Sequence, residues 1–77
     1  MTQDAYKGTA RVILANNLRR LRSARGWSQE YLAFEAGLHR TFVAHVEREA
    51  RNISIDNLEK LACALGVPVN ELLVRQE

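Results

Sequence analysis

Residues 27–48 read WSQEYLAFEAGLHRTFVAHVER, and the rest of the chain is interpreted around them. Ser28 is an N-cap residue type, whose hydroxyl accepts a hydrogen bond from an otherwise unpaired first-turn amide. Trp27 before it and Leu32 four residues inside make a hydrophobic staple, which sets the angle at which the chain enters the helix. Trp27 is accordingly read as a core anchor. The helix stops near Ala36, because Gly37 takes the left-handed conformation at no steric cost. A second helix follows at once, from about His39 to Arg48, with His39 at its cap and Val43 and Val46 facing inward. Ala33 must be small, since the second of these helices crosses close to the first.

Two short helices joined by so tight a turn form a helix-turn-helix unit. Anchoring Val43 and Val46 leaves the opposite edge of the later helix free. Upstream, a helix runs from about Thr9, read as its N-cap, to about Arg25, with Leu14, Leu18 and Leu21 as its apolar stripe and Gly26 ending it. Residues 1–8 read as a flexible tail. Downstream, the loop EARN leads to Ile53 and Ser54, which repeat the staple and cap with Leu58. The next helix carries Leu58, Leu61, Ala62 and Leu65 and stops at Gly66. Pro68 then suits the first turn of a short fifth helix, VNELLVR. Alternating β-branched patterns are absent, so the chain reads as all-α, with a single domain over residues 9–77.

At 77 residues the chain holds one compact domain with a thin stability margin. Its 47% hydrophobic and 26% charged content is ordinary for a soluble globular protein. No apolar run approaches the ~18 residues of a membrane span, and MTQDAYKGT carries no signal-peptide core. The reading is soluble and cytoplasmic, with no membrane partner. Cys63 is the single cysteine, which excludes an internal disulfide and leaves too few ligands for a zinc finger. Within LEKLACALG it reads as a small core or interface residue. His39 and His45 stand on poorly aligned helix faces, so no metal site is expected, and no cofactor either. No Ser/His/Asp set, carboxylate pair or Gly-rich phosphate loop occurs at catalytic spacing, which argues against an enzyme. Glu47 and Glu49 lie beside arginines and read as ion-pairing residues.

Charge is unevenly placed. Residues 1–51 hold nine Lys or Arg against five Asp or Glu, a balance of +4, while residues 52–77 hold two against four, a balance of −2. The basic half is nearly all arginine. That is the footprint of a nucleic-acid binder, although a solvated basic face without a partner would look the same.

Three stretches, LRRLRSARGWSQEYLAFEAGL, HRTFVAHVER and ISIDNLEKLACALGVP, resemble the phage-repressor/Cro (XRE-like) helix-turn-helix family over about residues 10–74. Within that family, AGLHRTFVAHVER followed by RNISI is most similar to the controller proteins of restriction–modification systems. The resemblance implies a five-helix, lambda-repressor-like domain whose third helix lies in the major groove of double-stranded DNA. Arg40, Thr41, Ala44 and His45 match the positions at base edges. Arg40 can form two hydrogen bonds with guanine or bind a phosphate, and Thr41 can reach a base, a phosphate or a thymine methyl. His45 can contact DNA or simply face solvent. Gln29 matches a phosphate-binding position, and Ser28 with the adjoining helix start would add main-chain donors beside its capping role. Arg51 and Asn52 fall where relatives grip the DNA backbone, contacts that supply affinity rather than sequence choice. Arg22 and Glu47 match an ion pair between the first and third helices, and Arg22 continues the stripe of Leu14 and Leu18. Two departures stand out. Glu49 replaces a common glycine, which suggests a turn built differently. Phe42 replaces a tyrosine of several controllers and lacks its hydroxyl.

The C-terminal GVPVNELLVRQE crowds Val67, Val69, Leu72, Leu73 and Val74 onto barely two turns, pointing in several directions. Such exposed clusters mark interaction surfaces. Two-fold pairing there would set two third helices ~34 Å apart and imply a homodimer on a near-palindromic site. A monomer that uses these residues internally is the alternative. The resemblance thus implies a transcriptional regulator with no small-molecule ligand, and a controller circuit that represses its own gene and activates a restriction gene. An antitoxin-type repressor is a close variant. A protein-interaction module without DNA binding would want an apolar or acidic outer face on the third helix, against which Arg40, Thr41 and His45 stand.

Overall fold

The computed structural model describes residues 9–50 and 52–76. The tail expected over residues 1–8 and the position of Arg51 lie outside the described residues. Four α-helices follow one another: α1 (Thr9–Ala24), α2 (Gln29–Ala36), α3 (Arg40–Glu47) and α4 (Ile55–Leu65). A 3-10 turn, Val69–Leu73, comes last. No strand occurs among the described residues, and no helix among them is long and apolar enough to cross a membrane.

Local chemistry starts and stops each element. Ser28 Oγ accepts from the Tyr31 amide at 3.0 Å and Ser54 Oγ from the Asn57 amide at 3.1 Å, so two serines cap α2 and α4. His39 caps α3 through Nδ1, which accepts from the Thr41 amide at 3.2 Å. Gly37 closes α2 with φ at 70°; Leu38 N bonds Ala33 O at 2.8 Å and Gly37 N bonds Phe34 O at 3.2 Å. Only a left-handed residue satisfies both of those last carbonyls. Three residues, 37–39, therefore suffice to turn the chain from α2 into α3.

The core gathers one side of every element. Leu14 and Leu18 of α1, Leu32 and Ala33 of α2, Val43 and Val46 of α3, and Leu58, Leu61 and Leu65 of α4 are buried together, with Leu72 from the 3-10 turn. Trp27, Leu21 and Ile53 pack against this cluster half-buried. Ala33 has no exposed surface at all, as the close crossing of α2 and α3 requires.

Several expectations are corrected. Thr9 is the first helical residue of α1 rather than its cap. The fifth element is a 3-10 turn, not an α-helix, and Val74 after it is extended (φ −86°, ψ 124°). A buried side chain of α1 meets the segment where it leaves the turn: Asn17 Nδ2 donates to the carbonyls of Leu72 at 2.8 Å and Val74 at 2.9 Å, and these bonds hold the extended Val74 against α1. Cys63 is exposed, not a core residue. It sits beside Glu59 and Lys60, because neighbours in sequence to Ala62 do not share its helix face. Glu49 does not build a different turn: it adopts φ 61°, as a glycine would. Ala50 N to His45 O at 3.0 Å and Glu49 N to Val46 O at 2.9 Å close α3 as α2 is closed, and those bonds hold a non-glycine residue left-handed.

Candidate nucleic-acid interface

Helix α3 is divided lengthwise. Phe42, Val43, Val46 and Glu47 are buried, while Arg40 and Thr41 are exposed and Ala44 and His45 half-buried. The four positions expected at base edges thus lie together on the edge away from the core. Arg40 has 74% of its side chain exposed, and its guanidinium stands 3.6 Å from Glu30 of α2. An exposed pair at that distance contributes little and is easily exchanged for another acceptor. The Thr41 hydroxyl lies 2.9 Å from His39 Nδ1, which ties it to the cap of its own helix.

The start of α2 lies beside α3. The Ser28 hydroxyl is taken by the Tyr31 amide, whereas the amides of Gln29 and Glu30 belong to a first turn that offers them no intrahelical acceptor. Gln29 is more constrained than a solvent-facing phosphate contact would be. Its Nε2 donates to Glu47 Oε1 at 2.9 Å, which commits one of its two amide hydrogens within the protein. Asn52, in the loop after α3, accepts from the Arg11 guanidinium through Oδ1. Arg51 beside it is not among the described residues.

Behind the exposed edge is a buried polar network. Glu47 receives Arg22 Nε at 2.9 Å, Arg22 Nη2 at 3.0 Å and Gln29 Nε2 at 2.9 Å. Arg22 Nη1 donates in turn to the Trp27 carbonyl at 2.8 Å. The hydrogen bond to Glu47 raises the Arg22 pKa further above its ordinary value, against the opposing effect of burial. Arg19 was not anticipated: its Nη1 and Nη2 donate to the Glu47 carbonyl at 3.2 and 2.9 Å. One residue at the end of α3 therefore joins α1, α2 and α3.

The C-terminal residues divide differently from expectation. Leu72 has no exposed surface and is a core residue, which removes it from any surface for pairing. Val67 and Val69 are half-buried against the core. Leu73 and Val74 are each 43% exposed, and Val12 of α1 is 38% exposed. A groove lined by Val12, Ile13, Asn16, Asn17, Arg75 and Gln76 runs between α1 and the C-terminal segment.

Comparison with known proteins agrees with this geometry. The helix-turn-helix family profile matches residues 18–72. A hypothetical transcription factor of Neisseria meningitidis is 52% identical over 64 residues, covering 83% of this chain and 60% of its own. The chain thus spans about three fifths of that relative's length. Control protein C.BamHI of Bacillus amyloliquefaciens is 47% identical over 64 residues, 82% of this chain and 79% of its own. Among solved structures, the restriction-modification controller protein C.AhdI of Aeromonas hydrophila superposes with a TM-score of 0.77 at 50% identity, covering 80% of this chain and 94% of its own. With α2 and α3 inside the matched span and relatives of this similarity, the chain belongs to the XRE-like helix-turn-helix family, alongside restriction–modification control proteins.

Proposed function

We propose that this chain is a sequence-specific DNA-binding transcription regulator that acts as a homodimer on a near-palindromic operator. The observation that carries the reading is the division of α3: its apolar edge is locked into the core while Arg40, Thr41, Ala44 and His45 occupy the other edge. A rod held in this way fits the major groove, and Arg40 at its N-terminal end can pair with guanine O6 and N7. Ser28, Gln29 and the start of α2 would meet phosphate on one side, with Arg51 and Asn52 on the other. Leu73 and Val74, both exposed, would contribute the apolar surface through which two copies pair. Relatives named control proteins, and a solved restriction-modification controller protein, support a role in controlling a restriction–modification system; control of the regulator's own gene is part of this proposal. Selection of bound duplexes from a random pool tests the reading. A recovered site with two-fold symmetry and half-sites one helical turn apart is expected; recovery of no preferred sequence at low salt would overturn it.

A further inference from the structure

Helix α3 has two turns, and its two ends are held by different means. At the N-terminal end the chain is fixed by the short turn through Gly37 and the His39 cap. At the C-terminal end the last carbonyls of a helix have no intrahelical donor. Three of them are answered by the backbone: Ala44 by Arg48 N, His45 by Ala50 N and Val46 by Glu49 N. The Glu47 carbonyl is answered by Arg19 instead, with both terminal nitrogens of the guanidinium aimed at one oxygen. Arg19 is half-buried and comes from α1, which a buried ion pair from Arg22 also joins to Glu47. Cation and helix C-terminus are complementary in sign, and a planar fork held by two bonds fixes direction better than a point charge.

We propose that Arg19 is a positioning residue for sequence readout: it holds the C-terminal turn of α3 against α1 and so sets the angle at which Arg40 and its neighbours enter the groove. This rests on the reading of α3 as the element that meets DNA. Arg19 acts through Glu47, and its guanidinium serves the protein rather than a phosphate.

The test uses the whole chain with Arg19→Gln and Arg19→Lys, each measured on the selected duplex and on a scrambled one across a salt series. Arg19→Lys keeps the charge and the aliphatic stem, so it carries the test if the glutamine variant fails to fold. Both variants are expected to lose about fivefold or more in the ratio of selected to scrambled affinity, the discrimination of one base contact. The salt slope should stay at the wild-type value in Arg19→Lys. Faster amide hydrogen exchange at Arg48, Glu49 and Ala50 is expected without DNA. A glutamine variant that binds both duplexes more weakly with a slope reduced by about 0.9 identifies a phosphate contact and overturns the inference; a lysine variant with wild-type preference overturns it as well. A lower melting temperature with an unchanged ratio overturns it too, leaving only a structural role. If the wild-type chain prefers no duplex, the DNA reading itself falls and this inference with it; if wild type and both variants prefer the same duplex equally, the inference alone falls.

Discussion

Arg22 on α1 and Glu47 on α3 meet as a two-bond fork, Nε to Oε2 at 2.9 Å and Nη2 to Oε1 at 3.0 Å, with the Glu47 side chain only 3% exposed. Planar guanidinium and carboxylate match in this arrangement, so the pair fixes orientation as well as charge. Taking the carboxylate away leaves Arg22 desolvated and the Gln29 amide without its acceptor. Glu47→Ala is therefore expected to cost about 3–5 kcal/mol, a fall in melting temperature of more than about 10 °C for a domain of this size. Thermal unfolding followed by circular dichroism measures it. A change under about 3 °C, the size of an ordinary surface substitution, would show that the pair does not hold α1 to α3.

Glu49 sits at φ 61° without the freedom of glycine. An L-residue there loses roughly 1–2 kcal/mol to contact between Cβ and its own backbone, and glycine returns part of that gain through its more disordered unfolded state. Glu49→Gly is thus expected to stabilise the fold by about 0.5–1 kcal/mol, read as a higher urea midpoint at unchanged slope. Destabilisation would mean that the Glu49 side chain makes a contact worth more than the strain it carries.

Arg40 is the exposed cation nearest the start of α3, and its pairing with Glu30 is loose. Arg40→Ala should cost about 1–3 kcal/mol on the selected duplex and relax the preference at one base position per half-site. Loss spread evenly over all sequences would reassign Arg40 to a phosphate. Competition binding with single-base variants of the site separates the two.

What could be read in the residues was local. Ser28, Ser54 and Gly37 act on amides and carbonyls within one helical turn, so their roles follow from their immediate neighbours. Val43 and Val46 follow from helical period alone. Asn17 and Arg19 could not be read, because their acceptors lie 55 and 28 residues away and a polar residue in a helix ordinarily faces water. Five apolar residues crowded onto so short a segment do not reveal which of them faces the core; the 3-10 turn selects Leu72, and that choice depends on packing the residues alone do not show. Cys63 leaves the core because its neighbours in sequence occupy another face of the helix, and Glu49 pays the left-handed cost where a differently built turn is the other way out.

The burial of Leu72 and the exposure of Leu73 separate folding from the proposed pairing. Leu72→Ala opens a cavity in the core and is expected to cost about 2–5 kcal/mol. Leu73→Ser removes apolar surface that is already partly in water and should change monomer stability within about 0.5 kcal/mol. If Leu73 belongs to the pairing surface, sedimentation at about tens of micromolar shifts toward monomer in Leu73→Ser. Unchanged sedimentation would remove Leu73 from any pairing surface, and a wild-type monomer at that concentration would remove the proposed dimer.

Asn17 is 1% exposed, and its amide group reaches the carbonyls of Leu72 and Val74 from the middle of α1. An apolar replacement leaves the Leu72 carbonyl without its donor in a buried site, and the half-buried Val74 carbonyl loses its bond to α1. Each unsatisfied buried group costs about 1–3 kcal/mol, so Asn17→Leu is expected to be destabilising although it adds hydrophobic volume. The effect should concentrate at the C-terminus, because nothing else in α1 is bonded to that segment by a side chain among the contacts described above. Hydrogen exchange would then show Leu72 to Val74 unprotected while Val43 and Leu61 keep their protection. Pairing should weaken in parallel, since Leu73 and Val74 hang from the same two bonds. A variant that unfolds as a single unit, with all amides exchanging together, would show instead that Asn17 supports the whole core and not the C-terminal segment.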